Sequence, residues 1–202
     1  MKKIISRRLA SIVFMGALSW GLISCNKNQN DKIDQKNVSE NSLLATCAPI
    51  PDSLQVPSGN KFISEAFARG VQIYEVKRSA ADPNTFEWVN IAPFATLYER
   101  PDFTKPVINH FAGPTWEFIK GRDKGESVVA KKIKGATIES SAIQWLLLEA
   151  VDDLSSPGNR VTFVQRICTE GGLAPDIIPT EANLGQLDSI PYHARYRFYE
   201  KE

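Results

Sequence analysis

The chain is poor in the residues that most often build reactive centres. Its 202 residues include two histidines, His110 and His193, and three cysteines, Cys25, Cys47 and Cys168. Two histidines exclude a multi-histidine metal centre, and cysteines this far apart form no paired-cysteine metal knot. There is no phosphate-cradling glycine loop, nucleophile-elbow pentapeptide or zincin helix. The sequence signatures of P-loop nucleotide binders, α/β-hydrolases and zinc proteases are therefore absent. A serine triad would have to recruit one of the two histidines, and neither has local support for that role. No metal or other cofactor is implied. A membrane-spanning helix needs about 20 apolar residues, and the apolar run at residues 9–22 stops short of that and is interrupted by Ser11 and Ser19.

What is present begins with that run. Lys2, Lys3, Arg7 and Arg8 precede it, and Leu22-Ile23-Ser24-Cys25 closes it. A basic flank, a short apolar core and a small residue before the cut form the export-signal pattern. The last four residues resemble the lipobox of bacterial lipoproteins. That resemblance implies diacylglycerol on the Cys25 thiol, cleavage before Cys25, and in many cases acylation of the new amine. An ordinary cleavable signal with Cys25 there by chance is the alternative. Two or three acyl chains anchor stably where one is marginal. The expectation is a signal peptide at residues 1–24 and a lipid anchor at Cys25, with a membrane as partner and an address in the cell envelope. Asn26 is not the aspartate that retains lipoproteins at the inner membrane of enteric bacteria, which favours the outer membrane.

Loss of the signal removes four of 24 basic residues and no acidic ones, leaving 20 against 23. A net charge near −3 gives no whole-domain reason to expect nucleic-acid binding. Lipidation would consume one cysteine. Cys47 and Cys168 then remain in an oxidising compartment, where pairing is expected. Their bridge would close a loop of about 120 residues and stabilise by roughly 4–5 kcal/mol in the chain-entropy model. Two free, buried thiols are the alternative.

Residues 25–42 read NKNQNDKIDQKNVSENS after the cysteine. They are too polar to bury the surface that would offset their ordering entropy. The segment is read as a tether with a typical span of about 25 Å. The expected folded unit is a single domain over residues 43–202. Short runs rich in Val, Ile, Phe, Tyr and Trp recur at residues 71–76, 86–91, 96–99, 107–111, 115–119, 128–133, 143–151, 161–167 and 195–199. These are strand signals. Gly121-Arg122-Asp123-Lys124-Gly125 and Gly113-Pro114 read as turns, and Ser155-Ser156-Pro157-Gly158-Asn159 as a loop. The pattern predicts a mainly β fold, an antiparallel β-sandwich or barrel-like single domain with one or two short helices. Residues 63–68 are the best helix candidate, and 143–150 is an apolar run of ambiguous type. Residues 194–199 alternate small or aromatic with basic side chains, a strand with one packed and one wet face.

Several segments in this order resemble one family. They are Gly70-Val71-Gln72-Ile73-Tyr74, His110-Phe111-Ala112-Gly113-Pro114-Thr115-Trp116-Glu117, Ile143-Gln144-Trp145-Leu146-Leu147-Leu148 and Val161-Thr162-Phe163-Val164-Gln165-Arg166. Thr169-Glu170-Gly171-Gly172, Ala174-Pro175, Pro191-Tyr192-His193-Ala194 and Tyr196-Arg197-Phe198-Tyr199 complete the set. The order is similar to that of the secreted bacterial and fungal proteins of the domain of unknown function 3455 family, over about residues 48–199. The resemblance implies a fold and an exported location and carries no catalytic assignment. The chain departs from the family pattern at Cys168. Members often have Asn there and a cysteine beyond the Gly-Gly-x-Ala-Pro stretch, which points Cys168 to its own partner, Cys47.

Candidate ligand or catalytic residues are His110, Trp116, Glu117, Gln165 and Arg166. The Gly113-Pro114 turn would fold the strands that flank it toward each other. If His110, Trp116 and Glu117 converged on one concavity, imidazole and carboxylate would serve as acid and base, or hold a polar ligand against the indole. In the structural alternative Trp116 is core, His110 bonds a loop carbonyl and Glu117 faces solvent. Arg166 would grip a carboxylate or phosphate, or form a structural ion pair. Trp145 reads as core, and Lys131, Lys132 and Lys134 as a solvated sheet edge. Three functions fit: a binding or envelope-interaction module for a small molecule, carbohydrate or envelope protein; a hydrolase or lyase using His110 and Glu117; and a purely structural envelope protein. The sequence leaves the oligomeric state open.

Overall fold

The computed structural model describes residues 47–151 and 160–202. The export signal, Cys25, the tether and the 155–159 loop lie outside the described residues. Eight strands follow in order: β1 (Asn60–Arg78), β2 (Phe86–Tyr98), β3 (Pro106–Phe111), β4 (Thr115–Phe118), β5 (Ser127–Ala136), β6 (Trp145–Ala150), β7 (Val161–Gly171) and β8 (Leu187–Lys201). Each pairs antiparallel with the next, and β8 returns to pair with β1, so the sheet closes into an up-and-down barrel. The fold is the barrel form of the expected mainly β domain.

The alternation of side chains explains the closure. On β1, Ala66 and Ala68 point inward while Glu65, Phe67 and Arg69 face outward; on β8, Tyr192, Ala194, Tyr196 and Phe198 point inward while His193, Arg195 and Arg197 face out. Across the β1–β8 seam Glu65 lies opposite Arg197 and Phe67 opposite Arg195. Arg197 Nε donates to Glu65 Oε2 at 2.8 Å, and the Arg195 guanidinium lies 5.3 Å from the Phe67 ring centre. Such cross-strand pairs set register. Charged side chains on the outer face at mid-strand are the reverse of the apolar band of a lipid-facing barrel.

The helix expected at 63–68 is corrected, and the ambiguous run at 143–150 is resolved as strand. Residues 63–68 belong to β1, and 145–150 form β6; among the described residues only the 3-10 turns Asp52–Leu54 and Glu181–Asn183 are helical. Residues 64–68 pair with β8, and Phe67 and Ala68 pair with β2 as well, which outweighs local helix propensity. The apolar run of β6 does not alternate because both its faces are covered. Leu148 and, partly, Leu146 pack inside the barrel, while Trp145 and Leu147 lie outside beneath residues 47–56. A strand buried on both faces reads as a continuous apolar run.

Residues 47–56 form a strap over the outer faces of β6 and β7. Leu54 is fully buried there against Trp145, Leu147, Phe163 and Ile167. Cys47 and Cys168 are disulfide-bonded, with Cα atoms 5.6 Å apart, and pin the strap to β7. Cys168 sits in a β-bulge with φ of 52°.

Inside, small residues on β1 and β8 (Ala66, Ala68, Ala194) leave room for Trp116, Phe118, Tyr196 and Phe198. Trp116 and Tyr196 meet edge to face at 5.6 Å, and Phe118 and Phe198 at 5.4 Å. Burying each such ring contributes about 1.5–3 kcal/mol. Gly70 is required on β1 because a Cβ there would collide with the Phe94 carbonyl and Ala95 on β2. Next to one end, Arg160 pairs with Asp123 at 3.0 and 3.1 Å and with Glu200. The opposite end carries the β1–β2, β3–β4, β5–β6 and β7–β8 connections and opens into a cavity.

Candidate functional site

The open end is asymmetric. Pairing of β1 with β2 continues to Arg78 and Phe86, whereas β3 pairs with β2 only as far as Ala95. Strands β1, β2 and β8 therefore rise as a wall beside the mouth. In this wall the register slips between Ile73 and Tyr74, leaving Ile91 of β2 unpaired. A bulge re-aims the residues beyond it. It brings Asn90 to Gln72, whose Oε1 accepts from Asn90 Nδ2 at 3.0 Å. Tyr74 donates its hydroxyl to the Gly172 carbonyl at 2.6 Å, fixing the β7–β8 connection against the wall.

The floor is aromatic. His110 of β3 lies directly opposite Trp116 of β4 across the Gly113-Pro114 turn. The two rings stack at 4.4 Å and 8°, with Tyr196 edge-on to His110 at 5.2 Å. Nδ1 of His110 lies 2.8 Å from the Thr115 carbonyl. Since a carbonyl only accepts, Nδ1 carries the proton and Nε2 is the acceptor. Burial is the main reason that the imidazole pKa is pulled down to about 3, and the nearby Arg166 charge adds to it. The ring is neutral at physiological pH.

The expected trio does not assemble. Trp116 is 1 % exposed, and Glu117, one residue on, faces the outer side of the barrel. There Asn109 Nδ2 donates to Glu117 Oε2 at 3.1 Å. His110 and Glu117 thus lie on opposite faces of one sheet and form no acid–base pair. Of the structural alternative, the buried Trp116 is met; the carbonyl on His110 belongs to Thr115, the first residue of β4, and Glu117 is half-buried on the outer face. Gln165 is also turned away from the interior. It is buried beneath the strap, donates to the Leu54 carbonyl at 2.6 Å and accepts from Tyr199 Oη at 2.6 Å.

Arg166, the next residue, faces inward between Leu146 of β6 and Tyr196 of β8. It lines a cavity of about 490 Å³ together with His110, Trp116, Tyr196, Gln72 and Lys132. That volume lies within the range of about 300–1,000 Å³ typical of small-molecule sites. Among the described residues Arg166 has no carboxylate partner. Its Nε and Nη2 donate to the Gln144 carbonyl at 3.1 and 2.9 Å. Lys132 Nζ donates to the side-chain Oε1 of the same Gln144 at 2.9 Å. Burial raises the pKa values of Tyr74 and Tyr196, and the Arg166 charge opposes both shifts.

The sequence reading missed Gln72, Asn90 and Lys132. Gln72 was findable: the two-residue alternation that puts Ala66 and Ala68 inside continues to it. Asn90 depends on the bulge. Lys132 was expected on a solvated edge; it lies at the mouth because β5 pairs with β6 and its own bulge falls at Ile133. Among the described residues no group of three or more His, Cys, Asp or Glu side chains is placed to hold a metal.

These features define a closed antiparallel β-barrel with one plugged and one open end. The chain belongs to the family described as Protein of unknown function (DUF3455), whose profile matches residues 57–200. No curated protein and no solved structure matches the chain. The family match excludes the strap, although Cys168, to which the strap is bonded, lies within it.

Proposed function

We propose that this protein is an exported, lipid-anchored binding module that takes a small molecule into the open end of its barrel. The observation that supports it is the cavity: about 490 Å³, with an aromatic floor, apolar sides and a few convergent polar groups. An eight-stranded barrel has an interior that is either filled by side chains or holds one small ligand, and here only one end is filled. Lipidation of Cys25 and location in the envelope rest on the basic, apolar and lipobox order of residues 1–25. A neutral His110 and an outward Glu117 favour binding over acid–base chemistry by that pair.

Two experiments test the reading. Cells grown with labelled palmitate should yield a labelled protein in the membrane fraction, and Cys25→Ser should lose both label and membrane association; an unlabelled native protein contradicts the anchor. A thermal-shift screen should find compounds that raise the unfolding midpoint, as a ligand that binds only the folded state must. Leu146→Trp, which fills the cavity from β6, should abolish those shifts. Shifts that survive it would place binding elsewhere.

A further inference from the structure

We propose that the barrel cavity is a site for a small organic anion, a carboxylate on an apolar or aromatic body, with the carboxylate held by Arg166 and Lys132. This rests on the binding reading and names its ligand class. Gln144 brings the two cations together, one on its backbone carbonyl and one on its side-chain oxygen. Both partners are neutral. The ion pairs among the described residues give neither cation a carboxylate, and no Asp or Glu lines the cavity. Two like charges converging on one neutral residue beside low-dielectric walls repel each other, and an anion bridging them reverses the sign of that interaction.

A second concavity of about 480 Å³ supplies the contrast. It lies beneath the strap and contains Arg195 and Arg197. Both approach Glu65, at 3.8 and 2.8 Å. The two concavities are nearly equal in size, and charge balance separates them.

The geometry also sets the shape of the anion. Arg166 spends Nε and Nη2 on the Gln144 carbonyl and lies beside the Tyr196 hydroxyl; its further N–H groups are of the kind that hold a carboxylate. Below it Ile143, Leu146 and Leu148 form apolar walls down to the stacked His110 and Trp116. An inorganic anion would leave these walls without contact, and a wholly apolar molecule would leave the two charges unmet. Two further donors on lining residues, Trp116 Nε1 and Gln72 Nε2, are buried without a hydrogen-bond partner among the described residues. Trp145 Nε1 is also unpartnered, but it belongs to the outer cluster and faces no part of this cavity.

The test is calorimetric titration of the purified full-length chain with octanoate and indole-3-acetate, each beside its primary amide, and with inorganic phosphate. At least one carboxylate should bind saturably, its amide about tenfold or more weaker, and phosphate should give no binding. Arg166→Gln should weaken the carboxylate by at least about tenfold and leave the amide unchanged. Lys132→Gln, at an exposed position that folding tolerates, should give a smaller loss in the same direction and carries the test if Arg166→Gln does not fold. Equal affinity for carboxylate and amide, or carboxylate affinity unchanged in the folded variants, overturns the anion assignment and leaves the binding reading intact. Phosphate binding as tightly as the organic acids overturns the apolar-body half. If none of the organic probes binds and the thermal-shift screen is also silent, both readings fall together.

Discussion

Packed flat against Trp116, with Nδ1–H on the Thr115 carbonyl, His110 is neutral in the folded chain and free to protonate once unfolded. Its folded pKa of about 3 lies below the ordinary imidazole value of 6.5, so between those values the unfolded state binds the extra proton. Stability therefore rises with pH across this window. The contribution is complete above about pH 6.5 and is lost as the pH falls toward 3. Between pH 7 and pH 5 the protein should lose about 2 kcal/mol that His110→Phe retains. Urea denaturation of both proteins at the two pH values measures it, and the difference cancels carboxylates and His193. Equal losses would mean that His110 is protonated in the folded state. At this scale the sequence was partly legible. The Gly113-Pro114 turn correctly brings the flanking strands together, but which residue faces which depends on the turn's register. That register places 110 opposite 116 and 109 opposite 117, so the imidazole and the carboxylate part company. For Gln165 and Arg166, adjacent in sequence, strand alternation sends one to the strap and the other to the cavity. Residue type alone does not tell which goes where.

Among the elements, the strap is the least ordinary, since it lies outside the family match and is held by three different devices. Leu54 fills an apolar site, Gln165 bonds the Leu54 carbonyl, and the Cys47–Cys168 disulfide fixes the strap's start. Reduction, or Cys47→Ser with Cys168→Ser, should cost roughly 4–5 kcal/mol by the chain-entropy model for a crosslink of this span. Leu54→Ala should cost about 2–5 kcal/mol. Denaturant midpoints with and without reductant check both. A loss below about 1 kcal/mol on reduction would show that the strap is held without its crosslink. In either variant Trp145 should gain solvent exposure while binding in the cavity is retained. The strands themselves were legible as nine short apolar runs, because a strand with one buried face must repeat every two residues. Two of those runs, at 86–91 and 96–99, are one strand, β2. The 63–68 segment was misread because helix propensity is local and pairing with β2 and β8 is not. The bulges at Ile91, Ile133 and Cys168 have no signature in a single sequence, yet the first and second shape the mouth and the third places the cysteine.

For the molecule as a whole, a closed antiparallel barrel leaves no free sheet edge; its β1–β8 seam carries Glu65, Arg195 and Arg197 on the outside, Arg166 and Lys132 line the cavity at the open end, and aromatic packing fills the barrel toward the other. That polarity of the barrel was not readable from composition, which allowed sandwich and barrel alike. It arises from unequal strand lengths, with β1, β2 and β8 long and β3, β4 and β6 short. The central claim is that a small molecule binds inside the barrel against the His110–Trp116 stack. Its most direct measurement is the set of indole N–H signals in a 15N–1H spectrum during titration with octanoate and indole-3-acetate. The Trp116 signal should move saturably while that of Trp145, on the outer face beneath the strap, stays in place. A Trp116 signal that holds still through both titrations, or a shift confined to Trp145, would contradict an interior site.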